Sequence, residues 1–192
     1  MAELLERLQD RLKFLPDGLR SHIYRVRDVA LELAAPHNID TGRAELGALA
    51  HDVCRAVPGG ELLKMSGDLG VTVTEVDRDF PLLLHGPVGA ELLRREEDLT
   101  DESLYEAVRW HSTAHASLDP LGKLVFLADK LDPQKSAVYS YQARLHAMAL
   151  ESMDLALLEF LSREMAARIG KGETVHPVSI DARNSLIVSL KS

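Results

Sequence analysis

Six acidic or imidazole side chains, His22, His51, Asp52, His85, His111 and Asp129, stand where a helical chain should carry apolar residues or open a new helix. His22 shares an i, i+4, i+7, i+11 stripe with Val26, Val29 and Leu33, where an imidazole loses hydration unless it is partnered. His111 falls in line with Leu104, Ala107 and Val108. Asp129 follows Leu124-Val125-Phe126-Leu127-Ala128, one turn beyond Val125. A buried carboxylate there must take up a proton, pair with a cation or bind a metal. Each residue also has a structural explanation: a core histidine can hydrogen-bond a backbone carbonyl, and Asp129 can pair with an arginine such as Arg109. His51 and Asp52 are adjacent, and neighbouring helical side chains diverge by about 100°, so both reach one ion only if it lies beside the helix between them. Taken together, the six recur about one helix plus a loop apart. Helix bundles build metal sites in this way, from side chains on facing helices.

The elements that must position them are helical throughout. Leu4, Leu5, Leu8 and Leu12 mark a first helix that stops before Pro16, and the His22 stripe marks a second that closes at Pro36. Thr41 is expected to cap a third, carrying Leu46, Leu49, Ala50 and Val53 and ending near Pro58-Gly59-Gly60. A short helix around Glu61–Met65 is followed by a loop through Gly67–Pro81. Pro87 suits the first position of a helix reaching about Glu96. Thr100 or Asp101 caps the next, and Asp119-Pro120 opens the one that ends with Asp129. A long helix is expected over about Ser140 to Ile169, and a last one over about Ser179 to Leu190. The pattern predicts one all-α domain over residues 1–192, without repeats or a linker.

Composition narrows the chemistry. Hydrophobic residues are 46% and charged residues 27% of the 192, close to an average soluble protein. Cys54 is the one cysteine, so no intrachain disulfide forms and a thiolate-rich zinc or iron–sulfur site is excluded. That usage fits a reducing compartment, and the expected location is cytoplasmic. The net charge of −8 argues against nucleic-acid and membrane-surface partners, which need a basic footprint. The first residues lack the apolar core of a signal peptide, and no apolar run approaches the ~18 residues of a membrane span.

The frame H…HD…H…H…D resembles the HD-domain metal-dependent phosphohydrolases, in their extended form with two additional histidines. The segments ALAHDVCR, LLLHGPVGA, AVRWHS, LGKLVFLADKLDP and VHPVSIDARNSL are similar to the bacterial YqeK-like branch, the symmetrical bis(5'-nucleosyl)-tetraphosphatases. The resemblance covers about Leu19 to Ile187. It implies an HD-type helical domain with a metal-binding core over about 19–135 and C-terminal helices over about 140–190. It also implies that His22, His51, Asp52 and Asp129 hold a first metal and that His85 and His111 hold a second, with Asp52 bridging. Iron is the metal it suggests first, and the reaction is cleavage of diadenosine tetraphosphate to two ADP. Four imidazoles and two carboxylates suit Fe, Mn, Co or Zn better than Ca or Mg, which want oxygen shells. Two segments depart from the family: His111-Ser112-Thr113-Ala114 replaces H-T-T-G, and Asp132-Pro133-Gln134-Lys135 replaces E-P-G-R.

The expected mechanism places two ions roughly 3.5–4 Å apart, with a metal-bound hydroxide attacking phosphorus in line. Asp52 and His51 are the catalytic candidates. Arg55, Arg109, Lys130 and Lys135, all near the ligands in sequence, are the candidates for holding an anionic nucleotide, and each also reads as a solvated surface charge. Cys54 reads as a small packing residue, His115 as a substrate contact or an exposed ring, and His37, His146 and His176 as bystanders. The alternatives are an HD phosphohydrolase acting on nucleotide monophosphates and a non-catalytic nucleotide-binding module. The sequence does not decide between a monomer and a homodimer.

Overall fold

A computed structural model of the protein describes residues 2–191; Met1 and Ser192, the ends of the expected 1–192 domain, lie outside the described residues. The chain forms α1 (Ala2–Leu12), α2 (Asp17–Ala34), α3 (Thr41–Ala50), α4 (Gly59–Leu69), α5 (Glu75–Asp79), α6 (His85–Glu96), α7 (Glu102–Trp110), α8 (Pro120–Lys130), α9 (Gln142–Glu151), α10 (Met153–Gly170) and α11 (Pro177–Ser189). Two 3₁₀ turns, Pro81–Leu84 and Pro133–Lys135, interrupt the series, and there is no strand among the described residues. The all-α expectation holds.

Several boundaries differ from the sequence reading, each for a local reason. Asp40 rather than Thr41 caps α3, accepting a hydrogen bond from the Arg43 amide at 2.8 Å. The expected loop through Gly67–Pro81 contains α5, started by a capping box in which the Thr74 hydroxyl and the Asp77 carboxylate satisfy each other's backbone amides. Helix α6 begins at His85, so Pro87 lies inside its first turn rather than opening it. The long C-terminal helix is two: Ser152 takes an extended conformation (φ −152°) and its hydroxyl accepts from the Leu155 amide, capping α10 just after α9 ends. Helix α11 starts at Pro177, two residues before the expected start.

Helix α8 is the central element, packed on α2, α3, α7 and α10. Its Leu124, Val125, Leu127 and Ala128 are fully buried, as are Leu33 on α2 and Ala44 and Ala48 on α3. Gly47 permits the close approach of α3, since a Cβ there would lie 2.7 Å from Val125 Cγ2. One apolar cluster runs from Leu8 to Leu186, so the C-terminal helices share the core of the helices that carry the histidines. No helix among the described residues is long and apolar enough to cross a membrane.

Candidate metal centre

All six predicted ligand positions converge. His22 comes from α2, and His51 and Asp52 from the turn that follows α3. His85 is the first residue of α6, His111 the residue after α7, and Asp129 sits near the end of α8. The expected helix through Val53 ends at Ala50. His51 keeps helical dihedrals (φ −55°, ψ −40°) and its amide donates back to the Gly47 carbonyl as the C-cap of α3, and Asp52 opens the turn that follows, so the two neighbours fall in different donor groups.

The donor atoms fall into two groups, His22–His51–Asp129 and Asp52–His85–His111; within each, the potential ligand atoms lie within 4.8 Å of one another. Asp52 faces both. Its Oδ1 lies 3.0 Å from His85 Nε2 and 3.3 Å from His111 Nε2, while its Oδ2 lies 3.4 Å from His51 Nε2 and 3.5 Å from His22 Nε2. Asp129 Oδ1 is 3.1 Å from His22 Nε2.

The second nitrogen of each ring is occupied elsewhere. His51 Nδ1 is 2.6 Å from the Ala48 carbonyl, His111 Nδ1 is 2.7 Å from that of Val108, and His85 Nδ1 meets that of Leu82. His22 Nδ1 is 2.6 Å from Asp132 Oδ2. A carbonyl accepts only from N–H, so these contacts place the proton on Nδ1 and leave Nε2 as a lone-pair donor for a metal. His51 Nε2 is buried with no hydrogen-bond partner, an arrangement that costs desolvation and that a cation would relieve. This donor set fits transition-metal ions.

The electrostatics agree with a buried charged cluster. Burial works against the Asp52 carboxylate, but His51, His111 and His85 outweigh it and hold its pKa well below the ordinary carboxylate value. Burial pushes the His111 imidazole down to about 4, keeping it neutral near neutral pH as a ligand must be. Burial also raises the Cys54 thiol to about 11, which suits packing rather than chemistry.

The candidate anion-holding residues divide. Lys130 Nζ lies 2.5 Å from Asp129 Oδ2, and Lys135 Nζ reaches Asp129 Oδ1 and, at 2.9 Å, its backbone carbonyl. Asp129 is thus paired with two ammonium groups, and Arg109, the partner considered from sequence, is elsewhere. Arg109 Nη1 donates to the Tyr105 hydroxyl at 2.7 Å, and its guanidinium lies 4.8 Å from the Trp110 ring centre. An open cavity of about 620 Å³ covers the centre, bounded by Arg55, Lys130, Lys135, Arg168, Phe80 and Ser112 among others; Arg109 is not in its wall.

Of the other histidines, His115 stacks on Trp110 at 4.6 Å, His37 meets the Ala149 carbonyl and His146 meets Glu32. His176, read as a bystander, ends the loop before α11 as that helix's N-cap, with its side chain largely buried 3.5 Å from Asp77.

Sequence reasoning missed Asp132, its partner Arg25, and Arg168. Asp132 holds His22 and receives a bidentate pair from Arg25 at 2.7 and 2.9 Å. An aspartate directly before Pro133, three residues after a buried aspartate, was the available signal. Arg168 of α10 lines the cavity from far along the chain, and no local pattern marks it. The Ala114 departure has a backbone meaning: Ala114 adopts φ 60°, the left-handed conformation that a glycine takes without strain.

The sequence matches the HD domain family over residues 19–134. It is similar to proteins named bis(5'-nucleosyl)-tetraphosphatase, symmetrical, from Staphylococcus aureus (28% identity, covering 88% of this chain and 87% of the relative) and Bacillus subtilis (26%, 86% and 88%). Among solved structures it resembles a predicted HD superfamily hydrolase involved in NAD metabolism from Clostridium acetobutylicum, with TM-score 0.90, 28% identity, and coverage of 96% and 97% of the two chains. A family match over more than half the chain, joined to the converging histidines and aspartates, leads to one conclusion: this chain belongs to the HD domain family.

Proposed function

We propose that this chain, acting as one domain over 1–192, hydrolyses diadenosine tetraphosphate at its central anhydride to give two ADP. The observation that carries the reading is the position of Asp52, whose two carboxylate oxygens face different histidine pairs. The names of the relatives, aligned over most of their length, supply the substrate.

His22, His51, Asp52 and Asp129 would hold one ion, and Asp52, His85 and His111 a second. Iron is our first choice, ahead of manganese, cobalt and zinc. Such ions supply charge neutralisation for phosphate oxygens and an activated water near neutral pH. The protein's part is to fix the donors. The Nδ1 contacts orient the rings, and Asp52, which faces both donor groups, would contribute to both ions and is the catalytic carboxylate, with His51 beside it. Arg55 at the cavity mouth, Lys130 and Lys135 at its wall offset the repulsion between a polyphosphate and a chain of net charge −8. In the reaction, water oxygen bonds to one central phosphorus and gives up a proton to solvent, the bridging P–O bond breaks, and the departing ADP takes the bridging oxygen with it. The cavity volume favours a dinucleotide over a monophosphate.

The test is to incubate metal-reconstituted protein with diadenosine tetraphosphate and separate the products. Two ADP supports the reading; ATP plus AMP shows an off-centre cut and contradicts it. Nucleoside release from monophosphates with no tetraphosphate turnover would favour the monophosphatase. The Asp52→Ala variant should lose about 10²–10³ in rate, the scale of losing a principal electrostatic stabiliser.

A further inference from the structure

A second, smaller cavity of about 150 Å³ adjoins the first. The two share Phe80, Leu83, Ser112, Lys130 and Arg168 in their walls. The second cavity has an apolar floor, where the Phe160 ring meets Phe126 edge-on at 5.6 Å and Tyr139 at 5.4 Å. Its walls also carry polar side chains, the buried Thr113, the half-buried Glu164 and Ser179 and, at an exposed position, Thr174. A purine has the same division: apolar faces, and edges that donate and accept hydrogen bonds.

The wall between the cavities is held in place. Phe80 follows α5 directly, and it is 41% exposed, an aromatic face open to a ligand. The α5 capping box is tied to the N-terminus of α11 through Asp77 and His176. Ser179 of α11 donates to the Thr113 carbonyl at 2.6 Å, joining that helix to the turn after His111. At the neck, Arg168 is steadied by Glu164 (2.8 Å) and Glu173 (3.5 Å). Phe80, Ser112, Phe126 and Lys130 of this cleft lie inside the 19–134 segment that matches the family, and Tyr139, Phe160, Glu164 and Arg168 lie beyond it, so the C-terminal helices complete a cleft that the metal-donor segment begins.

We propose that the second cavity binds the purine of one nucleoside diphosphate half of the substrate, stacked on Phe80, with Arg168 gripping the polyphosphate where the cavities meet. The proposal rests on the nucleotide reading above and deepens it. Two features commit the cleft to this occupant: its continuity with the metal cavity, and the placement of cationic Lys130 and Arg168 between an apolar end and the cluster that would take phosphate.

Calorimetric titration of the whole metal-loaded chain with ADP and with pyrophosphate tests it. The wild type should bind ADP at least about tenfold more tightly than pyrophosphate, the scale of one base stacked on an aromatic ring. Phe80→Ala should reduce that ratio by about tenfold. Thr174→Trp, at an exposed rim position, should reduce it by filling the mouth and serves if Phe80→Ala fails to fold. Arg168→Ala should weaken both ligands. Equal affinity for ADP and pyrophosphate in the wild type, or a ratio unmoved in both cleft variants, would overturn the proposal. Hydrolysis is scored separately: turnover without a preference for ADP removes the subsite and keeps the reaction, whereas the preference without turnover removes the reaction and keeps the subsite.

Discussion

Asp132 Oδ2 lies 2.6 Å from His22 Nδ1, so the ring is held through its back nitrogen by a carboxylate that Arg25 grips in turn. Burial works against the charge on Asp132, but the hydrogen bonds from Arg25 and His22 bring its pKa down to about 2, leaving it ionised at working pH. Carboxylate–histidine–metal arrangements raise ligand basicity and fix the ring. Asp132→Ala should therefore weaken metal binding by about 10–100-fold in a chelator competition titration, with partial recovery in Asp132→Asn. Unchanged affinity in the alanine variant would remove Asp132 from the metal site.

Lys135 competes for the oxygen that faces His22. Its ammonium pairs with Asp129 Oδ1, the atom a cation between His22 and Asp129 would need. Lys135→Met should tighten metal binding by severalfold while raising KM for the tetraphosphate, because the same charge serves the anion. A variant that binds metal more weakly would show that Lys135 only supports Asp129 structurally.

Gly86 sets the distance between the His85 and His111 helices. A Cβ there would lie 2.8 Å from the Arg109 carbonyl oxygen and 3.3 Å from His111 Cε1. Backbone cannot give way as a flexible side chain does, so Gly86→Ala should cost about 1–3 kcal/mol of stability and loosen the second metal group. Gly67→Ala, in α4 with nothing within 4 Å of the added methyl, should instead stabilise by about 0.5–1 kcal/mol. Denaturant midpoints check both signs, and equal effects at the two glycines would refute the close-approach argument.

Neutral His111 gives the metal-free protein a defined acid sensitivity. Burial lowers its pKa from 6.5 to about 4, so between those values the unfolded chain binds a proton that the folded chain does not. Its contribution is fully present above pH 6.5 and is lost as pH falls toward 4. At about 1.4 kcal/mol per pH unit, the loss is about 3 kcal/mol. His51 acts in the opposite direction: burial opposes its charge, but Asp52 outweighs burial and raises its pKa, so its contribution is lost as pH rises. The His111 part is read as the difference between wild type and His111→Gln in chelator-treated protein. Identical slopes between pH 4 and 6.5 would contradict it.

Much of this site was legible because its residues violate apolar periodicity. A histidine in the Val26–Val29–Leu33 stripe and an aspartate after LVFLA need a reason, and the reason is spatial. The helices themselves were legible from the same periodicity. What was not legible depended on tertiary contact or on single backbone torsions. The break at Ser152 is one residue in an otherwise helical pattern, and α5 is five residues long with no stripe to detect. Arg168 reaches the cavity because α10 packs on α8, and nothing near Arg168 in sequence records that packing. The pairing of Asp129 with Lys130 and Lys135 rather than Arg109 likewise depends on how the Pro133–Lys135 turn folds back.

Anomalous scattering from crystals grown with iron or manganese, recorded at the metal edge, tests the central claim most directly. The expected map has two peaks, one against Nε2 of His22 and His51 and the other against Nε2 of His85 and His111, with Asp52 touching both. A map without density between these rings, in crystals where Lys130 and Lys135 still neutralise Asp129, would contradict the assignment of these six side chains as a metal centre.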